Sequence, residues 1–309
     1  MSRTRSITAG RVGNNSVSRV HTPPLRGLLR AWAAVGLLAA ALLWSYWPTV
    51  TSLMRDLRRN QDYSVGQLVP LAALYLLWQD RRTLRTCVPR PSWCGGVGLI
   101  LLAQAVRAYG VAFLYESLER YSLVMTVAGV VLLMTGWQVF LRVKWILLFL
   151  FLIVPLPGRV HNLIAGNLQG LATAGAVYCL ELLGITVSRE GNVILLNESV
   201  PLGIAEGCSG LSMLTAFIVV AATLAYVVNR PAWQKWTLVL SSIPVAFMCN
   251  LVRLVATAVL YLVASSEIAE RFFHDFAGLT MMPLAVLVLM GELWIMSRLT
   301  IHEPAEGKS

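Results

Sequence analysis

The apolar residues of this chain come in blocks long enough to cross a lipid bilayer, and nothing else constrains its fold as strongly. A transmembrane helix needs about 20 mostly apolar residues to cross about 30 Å of hydrocarbon. In that medium the backbone must satisfy its own N–H and C=O groups, and a helix does so within one segment. Composition agrees. Of 309 residues, 57% are hydrophobic and only 13% charged, against about 25% charged in an average soluble chain. A soluble domain of this size could not hide so much apolar surface. The expected fold class is all-α: a multi-pass transmembrane helical bundle of about eight spans.

The spans fall at roughly 30–49, 64–79, 93–114, 122–141, 144–157, 209–229, 236–264 and 276–297. A formal net charge of +10 would suggest nucleic acid in a soluble protein. Here topology accounts for it, because Lys and Arg collect in cytoplasmic loops, and no nucleic-acid partner is expected. With the N-terminus inside, sixteen Lys and Arg fall in inner segments. Seven fall in outer ones: Arg55, Arg58, Arg59, Arg120, Arg159, Arg189 and Arg271. The basic leader followed by Ala31–Trp47 shows no clear small-x-small cleavage site and reads as a retained first span. Residues 1–27 are poor in apolar side chains and are expected to be a disordered cytoplasmic N-terminus. Residues 28–298 then form the membrane domain and 299–309 a cytoplasmic tail.

Residues 159–185 do not fit a simple span. His161, Asn162, Asn167, Gln169 and Glu181 interrupt the apolar residues, so the segment is expected along the interface or packed against other spans. If it crossed, the segments after it would change sides. Next, Gly191-Asn192 separates two β-prone stretches within 186–197, which predicts a small extracytoplasmic β-hairpin.

Three polar residues then converge on one expected membrane face. Cys208, between Gly207 and Ser209-Gly210, lies just before the apolar run that ends at Asn229. That puts it at a helix N-terminus, where unsatisfied N–H groups and the helix dipole favour a thiolate. Cys179 and Cys249 have apolar neighbours and read as small buried hydrophobes. The five cysteines form no CxxC pair and no zinc-like spacing, and neither a metal nor a cofactor is expected. Arg253 lies about 25 Å along the span that starts at Trp236. Asn250, three residues earlier, shares its helical face. The arginine either snorkels to the outer interface or faces an inward site, where it would hold a carboxylate or stabilise an oxyanion. His274, beside Asp275, opens the last span. An imidazole is the usual general base for a thiol and the later acid for a leaving amine. Arg107 and Glu292, charges within spans, read as structural.

Glu206-Gly207-Cys208-Ser209-Gly210-Leu211, Asn250-Leu251-Val252-Arg253 and His274-Asp275-Phe276-Ala277-Gly278 occur in that order on successive spans. Together they resemble the three signatures of the exosortase/archaeosortase family. Pro155-Leu156-Pro157 and Arg189-Glu190-Gly191 are similar to that family as well, and the resemblance covers roughly residues 65–298. Gly207 and Ser212 depart from it, standing where alanine and a basic residue are usual. The resemblance implies a multi-pass membrane cysteine transpeptidase of a bacterial or archaeal cytoplasmic membrane, with its site on the extracytoplasmic face. It implies cleavage of C-terminal sorting signals made of a short motif, a transmembrane helix and a basic tail. By that likeness Cys208 is the nucleophile, His274 the acid/base, and Arg253 the partner of the transition state or of a substrate carboxylate. The partners would be the sorting-signal helices of secreted proteins and membrane lipid.

Two rivals come from other classes. One is a transporter with Arg107, Arg253 and Glu292 along its path. The other is a non-catalytic assembly factor for envelope polysaccharide export.

Overall fold

The computed structural model describes residues 25–196, 200–203, 210–263 and 281–299. It divides into two compact units, Met1–Trp47 and Pro48–Ser309. The described part of the first is helical, the N-terminal stretch of helix α1 (Leu25–Arg59). This helix begins before the expected span and ends ten residues beyond it, with Arg58 and Arg59 in its last turn, where cations complement the helix dipole.

The second unit is a helical bundle with one small sheet. Its further helices are α2 (Leu68–Gln79), α3 (Arg81–Arg85), α4 (Trp93–Ala112), α5 (Glu116–Thr135) and α6 (Trp137–Phe149). Then follow α7 (Gly158–Leu182), α8 (Leu211–Val227), α9 (Ala232–Val263) and α10 (Met281–Leu299). Among the described residues, α4, α5, α7 and α9 are long and apolar enough to cross a membrane, while Val65–Gln79 and Leu211–Val227 are apolar but shorter. Among the described residues, three of the expected eight spans (93–114, 122–141 and 236–264) meet both criteria, and the fourth helix that does, α7, was not among the eight.

One boundary moves for a clear reason. The sequence places a break at Arg142 and Lys144, but the chain breaks at Gly136, whose φ of +80° ends α5 and starts α6. That left-handed backbone suits glycine alone among ordinary residues. Arg142 and Lys144 instead sit on the exposed side of α6, whose Val143, Ile146, Leu147 and Phe149 are buried.

The core is a set of helix seams. Met213, Phe217, Ala221 and Ala225 of α8 pack with Leu238 and Ala246 of α9 and with Ala285 and Leu289 of α10. On its other side α8 offers Val219 to Val69, Ala73 and Leu76 of α2 and to Ile146 and Phe149 of α6. These positions recur every three or four residues, the spacing that gives a helix one apolar face.

The expected hairpin is present and carries a third strand. Strand β1 (Val187–Glu190) pairs antiparallel with β2 (Val193–Leu196) across the Gly191-Asn192 turn, and β2 pairs antiparallel with β3 (Val200–Gly203). Ile194 and Leu196 are buried against Ala172, Ala176 and Leu180 of α7 and Leu254 and Ala258 of α9. The sheet thus caps the C-terminal part of α9.

Helix α7 meets the length and hydropathy of a span, where the sequence favours an interfacial helix. Near its N-terminus His161 Nδ1 is 2.8 Å from the Tyr63 hydroxyl, and Tyr63 shares a cleft with Leu211 at the start of α8. Its C-terminal half lies against Leu254 and Ala258, beyond Arg253 on α9. The two parts of α7 thus meet different neighbours, the chain around Tyr63 and the C-terminal part of α9.

Candidate functional site

The site is built on the most regular feature of α9. Gln234, Leu238, Ser242, Ala246, Asn250, Leu254 and Ala258 are all buried and recur every fourth residue, a row that winds slowly round the helix, from the α8 and α10 side at Leu238 and Ala246 to the α7 and sheet side at Leu254 and Ala258. Arg253 and Thr257, also buried, widen that row at its C-terminal end. Polar residues inside an apolar bundle need partners, because a buried polar group without one is costly to desolvate.

Asn250 is 1% exposed and Arg253 is 6% exposed. Arg253 Nη2 donates to Asn250 Oδ1 at 2.8 Å, and Thr257 Oγ1 donates to the Arg253 carbonyl at 2.8 Å. Of the two alternatives open at the level of sequence, snorkelling is excluded: the guanidinium is held inside the protein by the side chain one turn earlier.

Asn250 has a second neighbour. Gly210, the residue before α8, adopts φ of +83°. A Cβ at this position would lie 2.7 Å from Asn250 Nδ2 and 2.9 Å from its Cγ. Only glycine accommodates both the left-handed backbone and this close approach. Gly210 is thereby pressed onto the asparagine that holds Arg253. Gly210 lies two residues after Cys208 in the sequence. Cys208 and His274 themselves lie outside the described residues.

The side of α8 that carries Val219 borders an open cleft with ≈ 420 Å³ of empty space, solvent included. Its walls come from the start of α8 (Leu211, Thr215, Val219), the turn at Leu152–Leu156, and the chain around Tyr63 and Gly66. Tyr63 carries the hydrogen bond to His161, and the two rings lie 5.3 Å apart at 57°. Thr215 Oγ1 donates to the Ser212 carbonyl at 2.8 Å.

Two features were not foreseen. The Tyr63–His161 pair spans 98 positions, and no local pattern announces it. Arg120, counted above as an outer positive charge, is 4% exposed. It bridges Asp56 of α1 at 2.6 Å and Glu116 at 2.7 Å. The Glu116–Arg120 spacing of four was a readable signal; the Asp56 partner was not. Glu292 of α10 accepts a hydrogen bond from Ser241 of α9 at 2.7 Å, which fits its structural reading. Cys179 and Cys249 are half-buried free thiols among apolar neighbours.

Apolar helices of spanning length, with a buried arginine–asparagine pair set against a glycine turn at one end, define a polytopic membrane protein with a polar site built into the bundle. Residues 55–291 match the sequence model of the transmembrane exosortase family (Exosortase_EpsH), and the chain belongs to that family. No curated protein and no solved structure matches it.

Proposed function

We propose that this protein is a membrane-embedded thiol transpeptidase that processes C-terminal sorting signals of exported proteins. Family membership over residues 55–291 supports the class. The observation that carries the assignment to these residues is the contact of Gly210 with Asn250, which holds Arg253. Two peptide units of about 3.8 Å each separate Gly210 from Cys208, and this short tether to the glycine that meets Asn250 supports assigning the thiol and Arg253 to one site.

The chemistry follows from the three side chains. The substrate's C-terminal helix docks among the spans with its short motif at the extracytoplasmic face. The Cys208 thiolate adds to a backbone carbonyl of that motif. Arg253 is always protonated, so it stabilises the developing oxyanion or holds a substrate carboxylate, and it does not act as a base. The C–N bond breaks, and His274 gives a proton to the leaving amine. The processed protein remains as a thioester on Cys208. An amine, a hydroxyl or water, with its proton passing to His274, then releases it and regenerates the thiol. A cell-envelope acceptor at the bacterial or archaeal cytoplasmic membrane fits this sequence of steps.

Co-expression with a substrate carrying a motif–helix–basic tail tests the assignment. Cys208→Ala should abolish the gel shift that marks tail removal. Unchanged processing in that variant would overturn the nucleophile assignment and favour an assembly factor or transporter.

A further inference from the structure

The cleft beside α8 lies outside the chemistry just described, yet its wall starts three residues after Cys208 in the chain. Leu211, Thr215 and Val219 line it at a spacing of four, so they present one face of α8. The opposite wall is the Leu152–Leu156 turn, with Leu57, Tyr63, Val65 and Gly66 closing the rest. No charged side chain is among these lining residues. The two hydroxyl groups present are already engaged, Tyr63 with His161 and Thr215 with the Ser212 carbonyl. What the cleft offers a ligand is apolar surface and the face of an aromatic ring. A charged group that enters it would meet no counter-charge among the described lining residues, which disfavours it against an apolar one.

We infer that this cleft is a specificity subsite of the proposed transpeptidase: it takes an uncharged, apolar side chain of the substrate polypeptide next to the bond that Cys208 attacks. The inference rests on the thiol transpeptidase reading. It assigns Thr215 and Tyr63 as specificity-determining residues. Thr215 is the adjustable position, because it is half-buried and projects from a rigid helix into the cleft. Tyr63 forms a fixed wall, because His161 holds its hydroxyl.

The test uses the full-length protein in lipid nanodiscs and a panel of sorting-signal substrates. The residues flanking the cleaved bond are varied in turn among Ala, Val, Leu, Phe and Asp. For one of those positions, the wild type should favour an apolar side chain and reject Asp. Thr215→Phe should shift the preference at that position toward Ala by about tenfold or more, the scale on which apolar pockets discriminate. Thr215→Ala, which cannot crowd the fold, should shift it toward Phe. Unaltered preference in both variants, with kcat/KM for all substrates changed by a common factor, would overturn the subsite. Should Thr215→Phe fail to accumulate in the membrane, the Thr215→Ala arm decides alone. The transpeptidase reading fails separately, if Cys208→Ala still processes the panel.

Discussion

At the residue scale the account rests on three contacts: Arg253 with Asn250, Asn250 with Gly210, and Thr257 with the Arg253 carbonyl. A hydrogen bond to a charged group contributes about 1.5–3 kcal/mol. Asn250→Leu and Arg253→Met should therefore each destabilise the protein, and the double variant should lose less than their sum. A coupling energy of about 0.5–3 kcal/mol from chemical denaturation in detergent is the expected result. Additive losses would mean that the two side chains act independently. The Asn250–Arg253 pair was legible, since a spacing of three puts two polar residues on one face of an apolar helix. The contact with Gly210 was not. Sequence shows a glycine after Cys208 but carries no sign of which later span it meets.

At the element scale, α9 and the sheet hold the arginine end of the bundle together. The Gly191-Asn192 turn of the hairpin is plain in the sequence, whereas the buried repeat of four along α9 from Gln234 to Ala258 mixes polar and apolar residues and shows only in the packing. The third strand and the docking of Ile194 and Leu196 on Leu254 and Ala258 depend on long-range packing that no local pattern encodes. Ile194→Ala removes a fully buried side chain from that cluster and should cost about 2–5 kcal/mol, measured as a lowered unfolding midpoint. A loss below about 0.5 kcal/mol would contradict the docking. The α5–α6 boundary teaches the opposite lesson. Arg142 and Lys144 look like a loop, yet long basic side chains lie comfortably along an exposed helix face with their heads in water, and the glycine at 136 ends the helix.

On the scale of the whole molecule, the question is which ends of the helices share a face. An interfacial α7 would keep both of its parts on one face, with His161 on Tyr63 and Leu180 on Leu254 and Ala258. An α7 that crossed the bilayer would separate them, since 25 residues span about 37 Å. Asn162→Cys and Glu181→Cys, both at exposed positions, should be labelled by an impermeant maleimide from the same side of sealed vesicles. Labelling from opposite sides would contradict the interfacial placement. The polar interruptions of this helix favour an interfacial placement, whereas its length and hydropathy fit a span, and the labelling pattern decides between them. The charge count that set the orientation also changes meaning, because Arg120 is buried against Asp56 and Glu116 and its charge does not face a membrane surface.

The central claim is that the chain leading into α8 presents a nucleophilic thiol next to a buried guanidinium. Trapping the intermediate tests it most directly. The protein is purified after brief co-expression with a sorting-signal substrate, and its intact mass is measured before and after hydroxylamine. The account predicts that the thioester on Cys208 adds the mass of the substrate's N-terminal product less one water, is released by hydroxylamine, and falls in His274→Ala, because that histidine protonates the leaving amine. Efficient substrate processing without any hydroxylamine-labile adduct on Cys208, persisting in Cys208→Ala, would contradict it.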